Sequence, residues 1–426
     1  MGNGAATFEV RTERPDRVVR AALDRWRRLG RPSVGLLFLS GRLAGHLSDI
    51  AADLAKGLAK ELNRDTATGG LAEASSEGPG SRGTAGGPTW LIGAGVGVLT
   101  ERGELERQSA AVGLVLEGVR ATAVGGGMRL ETFAQSLGAA LRAEPSASAF
   151  VLMRADAFEE DLLGAIDAGS GRATAKGRVF GGGTLPERDV ILLHSGQVHA
   201  GPGVALLLSG LGPARVAAAP AGRLLGPWRA ATRTRGSMLL EIEGERALDV
   251  LSASAEGLPD QPLLLLAVEG TPEDVSEGEA QERGAWGTPI LDGKLPRVAA
   301  PAILLRAIQG VDPSRGGVLV GELPPGARVT FAVRDRSTAR ETLGDRLAAL
   351  SRAVAGSAPR FGVYVNCAGR GAGLYGTADV DTKLIRARFG ELPLVGLQTA
   401  FEFAPFGDAT ALQLYTGVFA LFCAPS

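Results

Sequence analysis

Apolar side chains recur at helical spacing in three stretches of the chain. Val19, Ala22, Trp26 and Leu29 stand three or four positions apart behind Pro15, a residue suited to the first turn of a helix. Leu47, Ile50, Leu54, Leu58 and Leu62 form a longer stripe of the same period. Leu343, Leu347, Leu350 and Val354 form a third, and Thr338 with Glu341 has the spacing of a capping box at its start. Each stripe covers one side only, which predicts helices that lay one face on a sheet.

Short apolar runs predict strands, and they come in a recurring order. Residues 34–39, 149–153 and 362–365 each lead through a loop into a helix. A second strand then ends in glycine: 90–92 before Gly93, 179–180 before Gly181, 394–395 before Gly396. A hairpin-like stretch follows, then a closing strand at 111–116, 203–208 and 417–422. The expected fold is α/β, with two lobes of mixed, partly antiparallel sheets flanked by helices and built from repeated strand-helix-hairpin units. Residues 303–306 and 318–333 add further strands. The lobes divide as 1–235 and 236–426. Residues 65–88 and 270–288 are too poor in large apolar side chains to join a core, and read as a flexible loop and an acidic loop.

Length and charge narrow the classes of function. A chain of 426 residues with 45% hydrophobic side chains can bury more than one core. Its net charge of -1 gives no field to draw in a polyanion, so nucleic acid is not an expected partner. Two cysteines, Cys367 and Cys423, supply neither a disulfide framework nor a metal knuckle and fit a reducing compartment. The opening stretch carries charges where a secretory signal needs an apolar run, and no segment nears the roughly 18 apolar residues of a membrane span. The expectation is a cytoplasmic protein without a membrane partner.

Several motifs resemble chemistry they do not support. The glycines from Gly93 to Gly97 match a phosphate loop only on paper, because a hairpin and not a helix N-terminus follows them. Gly181, Gly182 and Gly183 fail the same test and read as a tight strand exit. His194 and His199 flank the turn Ser195-Gly196 without a third ligand in register, which favours structural histidines over a metal site. No cofactor is expected.

The run from Asn366 to Gly376 is the most distinctive, with Cys367, Gly369, Arg370, Gly371 and Gly373 following a strand. Glycines on both sides of Arg370 let the backbone turn and aim a guanidinium, whose planar fork suits a carboxylate. Thr377 and Asp379 then open a helix whose first amides add to an anion site. The plainer reading is a glycine-rich connection with a solvated Arg370 and Cys367 packed as a small hydrophobe. Both readings stand on the sequence.

Cys367-Ala368-Gly369-Arg370-Gly371, then Leu392 to Gly396, then Glu402 with Pro405, then Tyr415 to Phe422, resemble in order and spacing the signatures of the FIST C-terminal domain. Residues 179–208 resemble the FIST N-terminal domain, and Gly226-Pro227-Trp228 with Leu248-Asp249-Val250 resemble the passage between the two. The resemblance covers nearly the whole chain from about residue 30. It departs at Phe401-Glu402, where the family often has Gly-Glu. It implies an intracellular sensory module that binds small molecules such as amino acids and acts in signal transduction. With both lobes assigned, no stretch is left for a kinase, cyclase or F-box, so an unidentified signalling partner is expected. The site expected from the residues and the resemblance together comprises Cys367, Gly369, Arg370, Gly371, Gly373, Gly396 and Glu402, with Arg370 on a ligand carboxylate and Glu402 on its amino group. The rival readings are a hydrolase or transferase using Cys367 as nucleophile, and a protein-interaction scaffold.

Overall fold

The computed structural model describes residues 4–68, 87–159, 161–171, 178–259, 262–270, 302–324, 326–407 and 409–425. The stretches 65–88 and 270–288 therefore lie for the most part outside the described residues. Three six-stranded sheets and one nine-stranded sheet, with helices against them, make a mixed α/β protein.

Side-chain alternation builds the centre. In strand Val34–Ser40, Leu36 and Phe38 enter one core while Leu37 and Leu39 enter another, as the two-residue period of a strand requires. Strands Ser148–Arg154 and Pro359–Cys367 divide likewise. Phe150, Leu152, Val363 and Val365 join Leu36 and Phe38 in a single core shared by the three six-stranded sheets. Ala149, Val151, Met153 and Tyr364 face outward. Burial on both faces is why these strands read as unbroken apolar runs. Helices Pro15–Arg28 and Leu47–Thr68 cover the first sheet, Leu130–Ala143 and Asp161–Ser170 the second, Arg336–Ala353 and Val380–Phe389 the third.

Each of these sheets is mixed. Val34–Ser40 runs parallel to Thr89–Ala94, Ser148–Arg154 to Val179–Thr184, and Pro359–Cys367 to Leu394–Thr399. Ala110–Leu116, Gly203–Ser209 and Thr416–Cys423 pair antiparallel on the other side. The hairpins that follow the parallel strands cross to a different sheet. Gly97–Thr100 pairs with Leu394–Thr399, Val190–His194 with Thr89–Ala94, and Glu402–Phe406 with Val179–Thr184. The two halves of the chain therefore share sheets. The nine-stranded sheet is antiparallel and is drawn from residues 222–334. Residue 235, the expected end of the first lobe, closes strand Arg229–Arg235, which pairs as a hairpin with Met238–Ile242.

Two local expectations are corrected. The third amphipathic helix begins at Arg336, and its cap is Asp335, whose Oδ1 accepts the Thr338 backbone amide at 2.7 Å. A carboxylate at the N-cap position takes the amide first, so Thr338 lies inside the helix and no capping box forms with Glu341. Leu62 is exposed, unlike the rest of its stripe. Among the described residues no helix is long and apolar enough to cross a membrane.

The shared core turns on Phe150, whose ring lies 6.0 Å from Phe38 and 5.3 Å from Phe180. Phe150→Ala is expected to destabilise the protein by about 3–5 kcal/mol in urea denaturation; a change below about 1 kcal/mol would show that this core is not the common support of the three sheets.

Candidate functional site

Strands Pro359–Cys367 and Leu394–Thr399 end side by side, with Cys367 opposite Thr399 and Asn366 opposite Gln398. Because strand residues alternate, Cys367 and Asn366 serve opposite faces. The run after Cys367 turns sharply and places Arg370 back inside the protein.

Arg370 is 1% exposed and its fork holds the chain's own Asp381, with Nε to Oδ2 at 2.9 Å and Nη2 to Oδ1 at 3.1 Å. Nη1 donates to the Ala219 carbonyl at 2.9 Å and Nη2 to the Tyr375 hydroxyl at 2.7 Å. The hydroxyls of Tyr364 and Tyr375 donate to Asp381 at 2.8 and 2.7 Å. Burial alone raises a carboxyl, but Arg370 and these donors hold Asp381 below the usual carboxylate range. The carboxylate on the Arg370 fork is thus internal. The helix opened by Asp379 likewise finds a hydrogen-bond acceptor inside the chain, where the Thr382 amide donates to Glu104 Oε1 at 3.3 Å.

The face bearing Cys367 has a different character. Glu402 is fully buried, and its Oε1 accepts the Thr399 hydroxyl at 2.8 Å. Its Oε2 has no partner. Gln413 stands opposite it across the hairpin, 1% exposed, with Oε1 also unpaired. Burial pushes Glu402 well above the usual carboxylate range, although the Thr399 hydroxyl, the Thr416 amide and Arg370 pull it back. The buried Cys367 Sγ accepts the Gly369 amide at 3.4 Å. Burial, then Glu402, push that thiol up to about 12. It is protonated at neutral pH, whereas a cysteine nucleophile acts as thiolate. Gly369 leads outward to Arg334, whose Nη1 donates to the Gly369 carbonyl at 3.3 Å, and to half-buried Tyr415.

The remaining predicted residues separate by role. A Cβ on Gly396 would collide with the Tyr364 carbonyl across the parallel pair, so this glycine serves strand packing. Gly371, at φ 68, is pressed against Glu106 and Gln398 on the other face. Gly373 is exposed with open space around it. Phe401 packs its ring against Gly183 and lies 4.4 Å from Phe158. His194 bonds Thr89 at 2.9 Å, and no group of three metal-ligating side chains occurs among the described residues. Sequence reasoning missed Gln413, Thr399, Arg334 and Asp381. Only Asp381 carried a signal, as an acid in the first turn of a helix close behind Arg370. Two clefts of about 180 and 250 Å³ lie elsewhere, one beside Leu58, Leu62 and Leu193 and the other beside Pro227, Val250 and Phe331.

The chain matches the FIST N domain over residues 33–245 and the FIST C domain over residues 247–405. Two proteins of Mycobacterium tuberculosis, from strains CDC 1551 / Oshkosh and H37Rv and both named only as uncharacterized, are each 35% identical to it over 149 residues. That stretch is 34% of this chain, and the chain spans 38% of the length of these relatives.

Arg370→Ala strands Asp381 in the interior and is expected to cost about 3–5 kcal/mol in urea denaturation. A loss under about 1 kcal/mol would deny the clamp. Glu104, with Oε2 unpaired, is pushed up to about 8 by burial and then by Asp381. The folded state therefore keeps a proton that the unfolded chain releases, and stability falls as pH rises from the ordinary glutamate range towards 8. That single proton accounts for a slope of about 1.4 kcal/mol per pH unit. Glu104→Gln, neutral throughout, is expected to flatten the stability profile between pH 5.5 and 7.5 by that amount; parallel profiles for the two proteins would contradict the assignment.

Proposed function

Because this chain belongs to the FIST family, with FIST N and FIST C domains covering residues 33–405, we propose that it is a ligand-sensing protein of signal transduction whose ligand is an amino acid or a related small carboxylate. The observation that carries the reading is the pair Glu402 and Gln413. Two buried oxygens, Glu402 Oε2 and Gln413 Oε1, stand on one cross-strand pair with no hydrogen-bond partner. Unpaired buried polar atoms are costly, and an ammonium group that displaces the Glu402 proton supplies N–H donors to both. Burial favours the neutral acid at Glu402 in the empty site, and an arriving ammonium group favours its ionised form, giving a buried pair of opposite charges.

The carboxylate of such a ligand needs a cation other than Arg370, which is committed to Asp381. Arg334 fills that role in this reading. It reaches the Gly369 carbonyl beside half-buried Tyr415 and makes no ion pair among the described residues. Cys367 contributes a packed thiol between the two ends of the ligand. The recurrence of the same pairing order in the three mixed sheets supports a repeated unit as the origin of the architecture. The signal passes to a separate protein.

A thermal-shift panel of amino acids and small carboxylates tests this reading, since a ligand that binds only the folded state raises its stability. At least one amino acid is expected to raise the Tm of the wild type. Glu402→Gln, isosteric with the neutral acid, is expected to fold normally and lose the shift, and Arg334→Ala to weaken binding at least tenfold. A flat panel for the wild type, or a shift that survives Glu402→Gln, would overturn it.

A further inference from the structure

The opposite face of the same strands buries a second set of unpaired polar groups. Asn366 is fully buried with neither its amide nitrogen nor its amide oxygen bonded. Gln398 stands beside it in register, 3% exposed, with Nε2 unpaired. Glu104 is 7% exposed with Oε2 unpaired, and Thr382 is buried with its hydroxyl unpaired. These groups are held together by bonds on their other atoms. The Thr382 amide donates to Glu104 Oε1 at 3.3 Å, the Glu104 amide to Asp379 at 2.7 Å, and the Ala372 amide to Glu106 Oε1 at 2.9 Å. The turn starting at Gly371 lies directly over them: a Cβ there would stand 3.0 Å from Gln398 Nε2 and collide with Glu106.

The unpaired atoms form a definite pattern. Asn366 Nδ2 and Gln398 Nε2 donate, Asn366 Oδ1 accepts, and the Thr382 hydroxyl does either, while Glu104, held protonated by its burial, offers an O–H. A primary carboxamide offers the complement, two N–H donors and an oxygen with two lone pairs. We propose that this face, under the turn from Gly371 to Gly376, is a binding site for a primary carboxamide group, distinct from the Glu402 site behind it. Asn366 pairs with the guest in plane, Gln398 donates to the second lone pair of its oxygen, and the Thr382 hydroxyl accepts its second N–H. The charges on this face select against an acid. Glu106 and Asp379 face it, Asp381 is ion-paired with Arg370, and Tyr375 lies beside it. A carboxylate is repelled where its neutral amide is accepted. One wall of the site comes from strand Gly103–Glu106 and the other from residues 366–382, so an occupant bridges the two halves of the chain.

The test uses acetamide, N,N-dimethylacetamide and acetate at pH 7, read by thermal shift and by saturation-transfer NMR. Acetamide is expected to raise the Tm and show transfer, while dimethylacetamide, which has no N–H, and acetate do neither. Asn366→Leu is expected to abolish the effect and Glu402→Gln to leave it intact, which separates this site from the amino-acid site. Should Asn366→Leu fail to fold, Gln398→Met replaces it and is expected to weaken acetamide binding at least tenfold. No acetamide binding by the wild type, an equal response to dimethylacetamide or acetate, or full binding by the substituted protein would overturn the proposal.

Discussion

A guanidinium cannot be left alone in a protein interior, and the end of the third sheet is arranged around that constraint. Arg370 draws in Asp381 from the start of one helix, the Ala219 carbonyl from the end of strand Arg215–Pro220, and Tyr375 from its own turn. Tyr364 reaches the same carboxylate from the strand that leads into the turn. Four separate segments are thereby fixed relative to each other within about one hydrogen-bond length. The residues just ahead of Arg370, Asn366 and Cys367, are presented to their two faces by a backbone that this ion pair holds still. In the proposed function, binding energy at either face is spent on the ligand and not on ordering the loop.

The rest of the site follows from what surrounds that clamp. On the Cys367 face the hairpin Glu402–Phe406 with Ala409–Gln413 has crossed over to the second sheet and brings buried acceptors with it. On the Asn366 face the hairpin Gly97–Thr100 with Gly103–Glu106 has crossed from the first half of the chain and brings carboxylates. Both crossings put polar side chains where a sheet edge would otherwise meet solvent. They also make each wall of the site the property of a different part of the chain.

Local pattern carried much of this into the sequence. The apolar runs at 34–39, 149–153 and 362–365 were readable because both faces of those strands are buried, and the stripes of Trp26, Leu54 and Leu347 because helices bury one face. Cys367 is readable at the end of a strand, and Glu402 only through the resemblance to the FIST C-terminal domain. What periodicity cannot report is which sheet a hairpin joins, so the sharing of sheets between the halves was invisible. The same limit hid Gln413, which matters only because it stands opposite Glu402, and Arg334, which lies far along the chain from Gly369. Arg370 shows the ambiguity most clearly. Flanking glycines aim a guanidinium equally well inward or outward, and the choice depends on Asp381, a residue whose meaning appears only once the helix Val380–Phe389 is packed.

Burial favours the neutral acid at Glu402, and in the proposed function the ammonium group of an amino acid ionises it. Calorimetric titration at pH 7 in two buffers of different ionisation enthalpy measures it directly, because a proton released on binding is taken up by the buffer. The expected result is an apparent binding enthalpy that differs between the buffers by an amount approaching one proton per ligand, and no such difference for any binding that remains in Glu402→Gln. The same enthalpy in both buffers for the wild type would contradict it, since Glu402 would then have been charged before the ligand arrived or untouched by it.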